Sequence, residues 1–186
     1  MPDVAFFTRS LTGAWRLARF DAGGMAAFDV SFEGFWRSFW AAGLVLPLYI
    51  FFLAINFEST PVGMTTFVAV KGVGYALGWI AFPVAMIGLA ILLRLTPNYV
   101  RFIVALNWAA VLQSVLFVPV NIIAALGGLD SDLGALLYLA TLGAVLFYEW
   151  FVTRSALETS APIAAGLVAV DVLLEVMIDV GFDRLV

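Results

Sequence analysis

Five stretches of about twenty or more predominantly apolar residues, each separated from the next by a few polar ones, constrain this chain more than any other feature. At about 1.5 Å per residue, a helix of that length crosses the roughly 30 Å hydrocarbon layer of a bilayer. Inside that layer every backbone N–H and C=O must be satisfied within its own segment or a closed sheet, and uninterrupted runs of this length select helices. The predicted fold is all-α: a polytopic membrane protein, a bundle of five transmembrane helices preceded by an amphipathic helix.

The expected spans cover about residues 35–55, 67–95, 101–126, 133–153 and 161–182. The intervening segments NFESTPVGMTT, TPNY, GGLDSD and RSALETS are short and rich in turn residues, so consecutive helices should be antiparallel neighbours. Composition agrees: of 186 residues, 64% are hydrophobic and only 12% charged, far from the proportions of a soluble domain. Residues 1–31 form a cytoplasmic leader and residues 32–186 one membrane domain. The leader lacks the apolar core and small-residue cleavage site of a signal peptide and is expected to stay attached.

The chain has neither cysteine nor histidine, which excludes disulfides, thiol chemistry and the usual zinc and haem ligation. No carboxylates are spaced as in a calcium-binding loop, and neither a cofactor nor a resident metal is expected. A net charge of −4 argues against nucleic acid as a partner. No nucleophile stands beside a base and no Gly-rich phosphate loop occurs, so an enzyme is not expected.

Orientation follows from the arginines, because positively charged short loops stay on the cytoplasmic side. Arg9, Arg16, Arg19, Arg37, Arg94, Arg101 and Arg154, seven of the nine basic residues, fall on one side of the predicted bundle. Lys71 and Arg184 fall on the other, with Glu58, Asp130 and Asp132 in its loops. This places the N-terminus in the cytoplasm and the C-terminus outside.

In the leader, Val4, Phe7, Leu11, Trp15 and Ala18 recur at helical spacing, and Arg9, Thr12, Arg16 and Arg19 fall on another face. That pattern predicts an interfacial helix on the lipid bilayer surface, serving as an anchor that orients the bundle, or as a dock for a partner or a sensor of lipid. Phe32, Phe35, Trp36, Phe39 and Trp40 suit an aromatic belt at the membrane interface.

Polar groups inside spans are costly and point to partners, water or chemistry. The fifth span has the most. Its eleven Ile, Leu, Val and Phe residues favour insertion by roughly 3 to 7 kcal/mol, whereas three acids near the centre oppose it by roughly 7 to 10. Asp171, Glu175 and Asp179, four residues apart, share one face, which should turn toward protein. In the third span Asn107, Ser114 and Asn121 are seven apart, with Gln113 beside them, at depths matching the acids. Lys71 lies at nearly the depth of Asp179; an ion pair with it is the preferred reading, and snorkelling to the surface the alternative. Glu149 has Arg154 or Arg101 as candidate partners, or headgroup water. Gly74 and Gly78 allow a close helix approach, and Pro47, Pro83 and Pro119 can kink their helices.

Five closely spaced spans after a cytoplasmic leader, over residues 32–186, resemble in layout the membrane domain of the Yip1-type superfamily. The segments DVSFEGFWRSFW and FYEWFVTRSAL resemble stretches of short bacterial inner-membrane proteins. The resemblance implies a membrane-organising or partner-binding role, a bacterial inner-membrane location and no catalytic residues. The preferred functional reading is therefore a non-enzymatic scaffold or accessory subunit, working with a membrane-protein partner or as a homo-oligomer. The alternative is a small proton-linked transporter or channel built on the acidic row.

Overall fold

The computed structural model describes residues 3–55, 62–128 and 132–185, and these are helical almost throughout. Glu58 and Asp130, used in the orientation argument, lie outside the described residues. The helices are α1 (Val4–Ala18), α2 (Phe32–Ser38), α3 (Trp40–Ile55), α4 (Met64–Leu92), α5 (Tyr99–Leu116), α6 (Val118–Ala125), α7 (Asp132–Leu157) and α8 (Ala161–Asp183). Four helical segments are long and apolar enough to cross a membrane: Phe32–Ala54, Met64–Leu92, Thr96–Ala124 and Asp132–Leu157. The 23-residue α8 runs beside them, antiparallel to α7, from the α7 turn to the start of α4.

Two expected spans are interrupted. The first breaks at Phe39, where the Ser38 hydroxyl donates to the Phe35 carbonyl (2.7 Å) and so competes with the helical ladder. The third breaks at Phe117: Pro119 has no N–H for the ladder and suits the first turn of a new helix, so α6 begins there. Pro47 and Pro83, by contrast, lie inside the continuous helices α3 and α4.

The core is centred on α5, in which every residue from Phe102 to Ala109 is buried. Helices α3, α4, α7 and α8 complete a ring with it: α3 and α7 pack on α5, α8 packs between α7 and α4, and α4 returns to α3 through two tyrosines. At the arginine-rich end, Asn98 Nδ2 donates to the Leu157 carbonyl (3.1 Å) and Arg101 pairs with Glu158. At the far end Lys71 of α4 pairs with Asp183 of α8.

The leader packs closely on this bundle. Asp3 caps α1 by accepting from the Phe6 N–H (2.8 Å), and Tyr148 of α7 donates to the Ala14 carbonyl (2.9 Å). The face of α1 that meets the bundle carries Phe6, Ser10, Gly13, Ala14 and Leu17, about a third of a turn from the predicted apolar stripe. Phe6 and Phe7 set their rings edge-on to Trp108 at centroid distances of 5.6 and 5.8 Å. Of the predicted stripe, Val4 and Trp15 are exposed, and Phe7, Leu11 and Ala18 are half-buried against the core. The helix thus has three faces rather than two, one against protein, one apolar and open, one basic. Small residues next to a helix are ambiguous between a polar surface and a tight packing seam, and here Ser10, Gly13 and Ala14 form the seam.

Candidate functional site: an acidic cavity inside the helix ring

A half-open cavity of about 460 Å3 lies among the helices of the ring. From α8 it receives Asp171, Glu175 and Asp179; from α7, Glu149; from α5 and α6, Asn107, Gln113, Ser114 and Asn121. Neither lysine nor arginine lines it. Eight of the nine predicted intramembrane polar residues therefore converge on one space, and Lys71 is the exception.

The reason lies in the pattern of α8. Side chains four apart stack on one face, and the opposite face exposes Leu173, Val176, Met177 and Val180. Turning the acids inward puts these apolar groups outward. The row does not end at Asp179: Asp183 continues the same four-residue spacing, so four carboxylates extend over about 18 Å of helix. The row also runs from a closed end to an open one. Asp171 is 8% exposed and Glu149 also 8%, whereas Glu175, Asp179 and Asp183 are exposed.

At the closed end, Glu149 of α7 and Asp171 of α8 both line the cavity. Gln113 Nε2 stands 3.5 Å from Glu149 Oε2, the outer limit of a hydrogen bond. The expected ion partners of Glu149 are engaged elsewhere. Arg101 pairs with Glu158, and the Arg154 guanidinium lies over the Trp150 ring at 5.5 Å. Both arginines are toward the end of the bundle, while Glu149 is turned inward.

The two polar ladders meet differently from the predicted rung-to-rung contact. Asn107 Nδ2 donates to Ser38 Oγ (2.8 Å), and Ser114 and Asn121 donate to the Ala110 and Phe117 carbonyls of their own helices at 2.8 and 3.0 Å. Among the described residues, only Gln113 of this ladder reaches an acid, and that acid is Glu149 of α7 rather than one of the α8 row. Lys71 likewise pairs with Asp183 instead of Asp179, one helical turn nearer the end, where the pair reaches the surface.

Two lining groups escaped the sequence reading. Tyr49 of α3 and Tyr75 of α4 stand with ring centroids 4.6 Å apart. Their hydroxyls donate to the Lys71 carbonyl (3.2 Å) and the Ala42 carbonyl (2.6 Å), joining α3 to α4. A lone tyrosine in an apolar span has no periodic signature; Asp183, in contrast, could have been read from the spacing. Gly74 and Gly78 of GYALG both line the cavity; a side chain at Gly78 would enter open space, whereas a Cβ at Gly74 would lie 3.2 Å from the Phe182 ring of α8.

The membrane-surface candidates remain outside this site. Trp15 is 57% exposed, Arg9 and Arg19 are exposed, and Arg16 is tied to Asp21 (2.7 Å). Among the described residues, no group of three or more acids is gathered closely enough to hold a metal ion. No family model matches this chain, and no curated protein or solved structure is significantly similar to it.

Proposed function

We propose that this chain is a five-span membrane protein that moves a small solute, coupled to protons, through its central acidic cavity. The observation that carries this reading is the convergence of four carboxyls from α7 and α8 on one cavity without a lining lysine or arginine. Acids used only to hold helices together would be neutralised by cations, as Asp183 is by Lys71 at the rim, but Asp171, Glu175 and Asp179 have no lysine or arginine beside them in the cavity lining. Instead, the hydrogen bonds that join helices are made largely by other groups, among them Tyr75, Tyr99, Asn98 and Tyr148. Intramembrane carboxylates with access to water are suited to take up and release protons.

The fifth span of this reading is α8, about 34 Å long at 1.5 Å per residue and running the full height of the ring. Its acids face the cavity, so the insertion cost falls on a wetted surface rather than on lipid. The arginine-rich end, including α1, is the cytoplasmic one, and the layout suggests a bacterial inner membrane.

The test is proton flux into vesicles reconstituted with the purified chain, followed with an internal pH-sensitive dye. Flux above that of empty vesicles, reduced at least about tenfold in Asp171→Asn and in Glu175→Gln, is expected. Wild-type flux equal to that of empty vesicles would leave the scaffold reading, in which the open end of the groove receives a partner's span. A stoichiometric partner retained through gentle detergent purification would then support it.

A further inference from the structure

The cavity wall carries information about the solute itself. Besides its acids it is aromatic: Tyr49, Phe52, Tyr75, Trp79, Phe82 and Phe117 line it. The tyrosine hydroxyls are bound to backbone carbonyls, so their rings are held in place, and Trp79 stands edge-on to Tyr75 at 6.2 Å. Ring faces attract cations, and they do so best where water is scarce and the cation carries its own apolar surface. The lining acids, meanwhile, are strung over about 12 Å from Asp171 to Asp179. That spread suits a diffuse charge on a large body; a compact divalent ion requires several oxygens gathered within about 2.5 Å of one point. The volume, about 460 Å3, lies in the range of cavities that enclose small organic molecules.

We infer that the cavity binds a monovalent organic cation with an apolar or aromatic body, held between the aromatic wall of α3 and α4 and the carboxylates of α7 and α8. This rests on the transport reading above and specifies its substrate class. Cation and proton compete for the same carboxylates, so binding of one releases the other. The groups that enter this competition are Glu149 on α7 and Asp171, Glu175 and Asp179 on α8. Lys71 on α4 is held by Asp183 at the rim; α5 and α6 contribute only neutral amides and a hydroxyl, and α3 and α4 contribute Tyr49 and Tyr75.

The experiment is equilibrium dialysis of radiolabelled tetraphenylphosphonium against the purified full chain, with protein-free micelles subtracted. Tetraphenylborate, of the same shape and opposite charge, is the control. Saturable phosphonium binding is expected in alkaline buffer, weakened at least about tenfold in acid and in Glu175→Gln, and undisturbed by sodium or calcium. Gly78→Leu should weaken it as much by filling the cavity, and the open space at Gly78 gives that variant room to fold. Size-exclusion profile and helical circular dichroism check that it has. Equal binding of tetraphenylborate, displacement by calcium, or unchanged binding in both variants would overturn the inference. The two proposals separate cleanly: proton flux without phosphonium binding removes the substrate class alone, and phosphonium binding with no proton flux even in vesicles loaded with the phosphonium removes the transport reading alone.

Discussion

At the scale of single residues, the most exacting position is a close backbone approach where the leader meets α2. Gly34 opens α2 under an Asx turn: Asp29 accepts from the Ser31 N–H (3.0 Å), and Ser31 Oγ accepts from the Gly34 N–H (3.0 Å). A Cβ at Gly34 would lie 2.1 Å from the Asp29 carbonyl oxygen, a backbone atom that cannot swing aside. Gly34→Ala is therefore expected to cost about 1–3 kcal/mol, seen as a lower melting temperature in detergent, while Gly63→Ala, which meets nothing, leaves it nearly unchanged. Tyr148→Phe removes one buried hydrogen bond between α7 and α1 and should cost about 1 kcal/mol. The turn also has a pH dependence. Hydrogen bonds from Ser31 hold the Asp29 carboxyl below the usual carboxylate range. A lowered folded-state value stabilises the turn above the unfolded value and loses that contribution as pH falls through the folded one. Acidification should thus release the turn, detected by Trp36 fluorescence, and Asp29→Asn should remove this pH dependence.

Among elements, α8 was the most legible and its partners the least. Helical geometry alone dictates that acids four apart share a face, and their desolvation cost in lipid dictates that the face turn inward. What spacing could not reveal is lateral order. Asn107, Ser114 and Asn121 match the acids in depth, but depth says nothing about which helix lies between, and α7 inserts Glu149 into that gap. The Lys71 partner was missed by one turn because a lysine stem reaches several ångströms along the helix axis, toward Asp183 at the rim. A double-mutant cycle separates the alternatives. Lys71→Met and Asp183→Asn should couple by up to about 1 kcal/mol, limited by the exposure of Asp183, whereas Lys71→Met and Asp179→Asn should be closer to additive. In α1 the stripe of large apolar residues was visible, but the face chosen by the bundle is the one with small residues, where backbones approach closely.

For the whole molecule, hydropathy made the helical class readable, because a bilayer leaves a chain few choices, and four of the five predicted spans are helical segments long and apolar enough to cross. The cavity was not readable: it arises where five helices fail to close on one another, through a glycine at 78 and through rings whose hydroxyls are fixed to neighbouring backbones. The arrangement across the membrane is still a matter of charge, and it has a sharp test. The chain contains no cysteine, so each introduced one reports a single position. With the arginine-rich end in the cytoplasm and α8 crossing, Gly63→Cys, Asp132→Cys and Arg184→Cys should react with a membrane-impermeant maleimide added outside intact cells, and Arg19→Cys and Ser160→Cys should react only after lysis. Position 160 precedes α8 and position 184 follows it, so the pair isolates that helix. Labelling of both from the same side would mean that α8 does not cross, and its acids would then have to reach water by lying at the surface. Labelling from opposite sides would set the acidic row along the membrane normal, with Glu149 and Asp171 at its closed end.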